Sequence, residues 1–115
     1  MPENSVNPDL KELHGLLASQ MSALVERLNE AATTDAVRKI QNEITELNHR
    51  ITIVGNLLFT EQTARIATAM DKVRVASADV KKATKKIQDL TKFLKTMSSF
   101  LALVDKVIDT VKLIV

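Results

Sequence analysis

Residues 66–115 read IATAMDKVRVASADVKKATKKIQDLTKFLKTMSSFLALVDKVIDTVKLIV. With Ile66 at position a of a heptad and Ala69 at d, fifteen consecutive core positions are apolar: Ile66, Ala69, Val73, Ala76, Val80, Ala83, Ile87, Leu90, Leu94, Met97, Leu101, Val104, Ile108, Val111 and Val115. A 3-4 spacing held this long keeps one apolar stripe on one side of a helix and calls for partner helices. No Pro or Gly interrupts it. Ser77-Ala78-Asp79 and Thr96-Met97-Ser98-Ser99 are the soft spots, and both keep the heptad phase. The pattern therefore predicts one helix over about 60–115, roughly 80 Å long at 1.5 Å per residue. The competing arrangement splits it near residues 77–90 and gives a four-helix bundle of roughly equal helices.

The two halves of this stretch ask for different neighbours. Alanine fills d at 69, 76 and 83, where small side chains let helices approach closely. Further on, Phe93, Phe100, Val107 and Ile114 add an apolar g column, so the stripe widens to three residues per heptad and faces two neighbours at once. The C-terminal third is expected to be the most buried part.

Upstream, the heptad extrapolates back to Phe59, one residue out of phase with a second heptad at Val37, Ile40, Ile44, Leu47, Ile51, Val54 and Leu58. Gly55 before the slip and Thr60 after it suggest a turn, with Gly55 ending the second helix, Thr60 capping the third and Leu57-Leu58-Phe59 as an unusually apolar loop. Thr33-Thr34-Asp35 punctuates the start of the second helix. Asn7-Pro8-Asp9 reads as the start of the first, with Asn7 as N-cap, Pro8 at the first helical position and an acid where the dipole favours it. Leu10, Leu13, Leu17, Met21, Leu24 and Leu28 supply its stripe, and Gly15 either weakens it or admits a close neighbour. The expected fold is all-α: a flexible tail over 1–7 and one helical domain over 8–115. In it an antiparallel hairpin, with helices about 8–32 and 35–58, packs on a long third helix.

Composition fits that class. The chain has 115 residues, 45% of them hydrophobic and 26% charged, which suits one globular domain with a core. Both prolines fall in the first eight residues, and the only aromatics are three Phe. Cysteine is absent, which removes disulfides, thiolate metal sites and a Cys nucleophile. The first residues carry no basic stretch followed by an apolar core, and uncharged runs such as Ile51–Thr60 and Thr96–Val104 are far shorter than the roughly 20 residues of a membrane span. The expectation is a cytoplasmic protein, or one exported without a cleavable signal peptide.

Charge is uneven. Residues 1–59 carry five Lys/Arg against eight Asp/Glu, whereas 60–115 carry eleven against six. Lys81, Lys82, Lys85, Lys86, Lys92 and Lys95 form the conspicuous cluster, mostly at outer heptad positions. They read either as a solvated face or as a contact for an anionic surface. Without an aromatic platform or a nucleic-acid motif, a nucleic-acid partner is not expected.

No catalytic, cofactor or metal site is expected. Glu46 and His49 have the E-x-x-H spacing of di-iron bundles, but the second heptad points both away from the seam. No phosphate loop, nucleophile elbow or H-E-x-x-H occurs. The sequence instead predicts a non-enzymatic interaction or scaffold protein that associates through helices with itself or with a helical partner. Its expected interface is Ile66, Val73, Val80, Ile87, Leu94, Leu101, Ile108 and Val115 at a, with Phe93, Phe100 and Val107 at g. The alternative is a membrane-active amphipathic helical protein, such as a component of an α-helical pore-forming toxin. In it Phe93–Val115 would meet lipid and the lysines an anionic membrane.

Overall fold

A computed structural model describes residues 5–114. The described residues form four α-helices: α1 (Pro8–Arg27), extended by a short 3-10 turn at Leu28–Glu30, α2 (Thr34–Gly55), α3 (Ala64–Lys85) and α4 (Leu90–Ile114). The start signals act as the sequence suggests. The Asn7 side-chain oxygen accepts from the backbone N–H groups of Asp9 and Leu10, and Thr33 caps α2 by accepting from Ala36.

The chain folds as two hairpins. α1 packs on α2, α3 packs on α4, and the hairpins meet through α1 against α3 and α2 against α4. α1 and α3 run parallel, because contacts advance together along both: Glu12 meets Arg74, and Gln20 meets Thr84. Glu12 lies early in α1 and Arg74 midway along α3, an offset of about six residues or roughly 9 Å. That stagger helps to extend the molecule to 52 × 21 × 19 Å.

In place of one long third helix there are two, separated by the turn Lys86–Asp89. Lys86 leaves helical geometry at φ −116°, ψ 46°, and its N–H donates to the Ala83 carbonyl. Asp89 then opens α4: its side chain accepts from the Lys92 N–H at 3.3 Å, and its carbonyl from the Phe93 N–H at 3.0 Å. The energetics favour the fold-back. A straight helix would leave much of its stripe in water, whereas bending back buries Phe93, Met97, Phe100 and Val104 completely or nearly so. Burial contributes about 1.5–3 kcal/mol per large side chain, against about 1 kcal/mol for each backbone hydrogen bond given up in the turn. Ile87 stays buried inside the turn, so the apolar phase runs through the break.

The core matches the periodic pattern with one rotation. On α1 and α2 the buried apolar residues are Leu10, Leu13, Leu17, Leu24, Ile40, Leu47 and Val54, all stripe positions, and Gln20 is buried beside them. α4 buries Phe93, Phe100 and Val107 at g together with Met97, Leu101, Val104, Ile108 and Val111 at a and d, as the widened stripe predicts, while Leu90 and Leu94 are half-buried. On α3 the buried columns are a and e, with Met70, Ser77 and Thr84 turned inward, while Ala69 and Ala76 move to the edge of the core.

The expected tail stops short of Asn7. Residues 1–4 lie outside the described residues, but Asn7 is only 3% exposed and fastens the α2–α3 loop. Its backbone N–H donates to the Leu58 carbonyl at 2.7 Å, and its amide nitrogen to the Thr60 carbonyl and to Gln62 Oε1. The loop spans residues 56–63, and Thr63 rather than Thr60 caps α3 by accepting from the Ile66 N–H. Gly55 ends α2 without a left-handed turn, since no residue has positive φ among those described. Leu57 and Leu58 pack partly on the core, and Phe59 is exposed.

Candidate functional site

Folding α3 back against α4 creates a surface that neither helix has alone. On α3, positions 65, 69, 72, 76, 79, 83 and 86 are spaced four and three residues apart in alternation, so they share one stripe. On α4, positions 92, 96, 99, 103, 106 and 110 do the same. These two stripes border a hollow of about 370 Å³ lined by Ala64, Arg65, Thr68, Ala69, Lys72, Leu103, Lys106 and Thr110. They also border one of about 850 Å³ lined by Ala76, Asp79, Lys82, Ala83, Lys85, Lys86, Asp89, Lys92, Phe93, Lys95, Thr96 and Ser99. Residues of the same two stripes line both, so the two hollows follow one another along the outer α3–α4 seam and together make one grooved face. Its floor is the alanine column at 69, 76 and 83, with Leu103.

The groove is strongly basic. Eight cations line it (Arg65, Lys72, Lys82, Lys85, Lys86, Lys92, Lys95 and Lys106) against the carboxylates of Asp79 and Asp89. Among the described residues none of the eight forms an ion pair. The cations that do are Arg27, Arg38, Lys39, Arg50 and Arg74. Two exposed apolar side chains extend the rims: Val75, one heptad from both Thr68 and Lys82, and Leu113, one heptad beyond Lys106.

The paired arginines act as clamps between helices. Arg50 of α2 grips Asp105 of α4 through two hydrogen bonds of 2.8 and 2.9 Å, and this contact foremost raises its pKa above the ordinary guanidinium value. Arg74 of α3 holds Glu12 and Asp9 of α1 together with Asp71 of its own helix. Its pKa is pushed up chiefly by the hydrogen bond to Glu12. Partial burial, aided by the nearby Glu46 carboxylate, raises the pKa of Glu43 above the ordinary carboxyl value.

The expected interface residues turn toward the chain's own helices. Ile66, Val73, Val80, Ile87, Leu101, Ile108, Phe93, Phe100 and Val107 are buried and Leu94 is half-buried, while Val115 lies outside the described residues. Their stripe is thus met within the bundle. Lipid contact through α4 would first require α4 to leave its neighbours. All six lysines singled out in the sequence are exposed, and five line the groove, with Lys81 off it. Arg65, Lys72 and Lys106 join them, although nothing in the linear charge pattern marks them. Glu46 and His49 sit on the exposed face of α2, with the Glu46 carboxylate bound to Arg50. Among the described residues no three His, Asp or Glu side chains gather as a metal site would require, and no helix is long and apolar enough to cross a membrane.

The architecture is thus an all-helical bundle carrying a basic groove on one face. Compared with protein-family models, curated proteins and solved structures, the chain matches none.

Proposed function

We propose that this chain is a non-enzymatic interaction protein that recognises a helix in its α3–α4 groove. The supporting observation is the groove itself: small residues repeat along its floor at heptad spacing, and unpaired cations line it. A floor of alanines leaves room for the apolar stripe of a third helix, and helix-in-groove recognition uses this shape. A third helix would complete on the outside the packing that the buried columns of α3 and α4 complete within.

The test is site-specific photocrosslinking of the full chain in its native cells. A benzophenone side chain is placed in the groove at Lys72 or Ser99, or on the outer face of α2 at Gln41 or Asn48. Protein adducts confined to the groove positions are expected. Adducts of lipid or nucleic acid alone, adducts at all four positions equally, or no adducts would overturn the reading.

A further inference from the structure

We infer that the groove's occupant is an acidic amphipathic helix of a partner protein, a proposal that rests on the helix-recognition reading above. The alanines at 69, 76 and 83 recur every seven residues, the period of one column of a packed helix, so a guest can seat its own apolar column along the whole floor. Cations stand on both sides of that floor: Lys72, Lys82 and Lys86 on α3, Lys92, Lys95 and Lys106 on α4. A guest with a central apolar stripe flanked by Glu or Asp would meet each of these rims with a carboxylate row. The lining from Arg65 to Lys86 sets the guest's length at about three heptads, roughly 33 Å. The excess of positive charge matters here, because eight cations against the two carboxylates of Asp79 and Asp89 repel one another until an anionic partner arrives.

Other occupants fit less well. Two copies joined groove to groove would bring like charge against like charge. The exposed outer face of α2 does not fit either, since its carboxylates Asp35 and Glu46 are already paired with Arg38, Lys39 and Arg50. A flat bilayer would touch the rims and leave the alanine floor uncovered. A single-stranded nucleic acid would find no aromatic platform, because Phe93 is buried and Phe59 lies on the α2–α3 loop.

The probe is a fluorescein-labelled 28-residue peptide with Leu at a and d and Glu at e and g. It is compared by anisotropy with the same peptide carrying Lys at e and g, with vesicles containing phosphatidylserine, and with an oligothymidine 20-mer. The full-length chain should bind the Glu peptide at least tenfold more tightly than the Lys peptide. K82E/K85E/K92E/K95E should weaken that binding at least thirtyfold. Ser99→Trp, which places bulk on an exposed groove position, should weaken it about tenfold, with both variants keeping the parent's helicity and melting profile. If K82E/K85E/K92E/K95E fails to fold, Ser99→Trp alone decides the matter. Equal binding of the Glu and Lys peptides, or binding indifferent to Ser99→Trp, would overturn the inference. Tighter binding to vesicles or to the oligonucleotide than to the Glu peptide would overturn it as well. Groove crosslinks to a protein, with no binding of the Glu peptide, would refute the acidic helix and leave helix recognition standing. Peptide binding without any protein crosslink would refute helix recognition as the native use of the groove.

Discussion

Replacing Thr84 by valine keeps the shape of a buried side chain and deletes one hydroxyl. That hydroxyl accepts from Gln20 Nε2 at 2.6 Å and donates to the Val80 carbonyl at 2.8 Å. Both side chains are buried, Gln20 at 6% and Thr84 at 4% exposure, so the amide has no ready water to turn to. Leaving it unpaired costs about 1–3 kcal/mol. Unfolding entropy near 2.1 cal/mol/K per residue gives a 115-residue domain about 0.24 kcal/mol/K, so the melting temperature should fall by roughly 4–12 °C. Gln20→Leu should cost less, because the Thr84 hydroxyl keeps the Val80 carbonyl. The double variant should recover most of the Thr84→Val loss, since removing both partners leaves nothing unsatisfied. Thermal and urea unfolding followed by circular dichroism would measure all four corners of this cycle. A Thr84→Val protein within 0.5 kcal/mol of the parent, or a double variant as damaged as that single one, would refute the reasoning.

Gly15 sits on the exposed side of α1 with nothing near the position of an added Cβ, so Gly15→Ala should stabilise the fold by about 0.5–1 kcal/mol, read as a higher urea midpoint. Asn7→Ala should cost about 1–2 kcal/mol by removing the α1 cap. It should also speed amide exchange at Asn7 and in the α2–α3 loop, because the same side chain holds the Thr60 carbonyl and Gln62. Glu43 titrates above its ordinary value in the folded state because burial opposes its charge, so its folded form holds its proton more tightly than the unfolded chain does. Its ionisation therefore lowers stability as pH rises through that raised value. Glu43→Gln should raise the melting temperature slightly at pH 7 and leave it unchanged below the ordinary carboxyl range, a pattern visible in melts across pH 3–7.

Much of the bundle is written in local pattern. Leu10 to Leu24 and Ile40 to Val54 mark two helices by period, and Asn7 and Thr33 mark their starts by side-chain chemistry. The wide stripe of α4 forecasts its burial on three columns. What escapes a linear reading is the turn at Lys86–Asp89. It uses neither Gly nor Pro, its cap is a single Asp that looks like any surface residue, and Ile87 carries the heptad through without a slip. The groove escapes for the same reason. Along a straight helix Lys82, Lys85 and Lys86 are scattered outer charges, and only the fold-back sets them beside Lys92 and Lys95 over an alanine floor. Arg65, Lys72 and Lys106 are further apart in sequence and join the groove only through the antiparallel register. The contacts of Asn7 with Thr60 and of Gln20 with Thr84 span more than fifty residues, and no local signal announces them.

The groove exists only if residues 60–115 fold back on themselves, and one distance tests this. The chain has no cysteine, so K72C/K106C can be spin-labelled cleanly and the label separation read by double electron–electron resonance. Lys72 and Lys106 line one hollow across neighbouring helices, whose axes lie about 8–10 Å apart, and the labels should be separated by less than about 20 Å. A continuous helix would place them roughly 50 Å apart at 1.5 Å per residue, and that result would contradict the hairpin and the groove together.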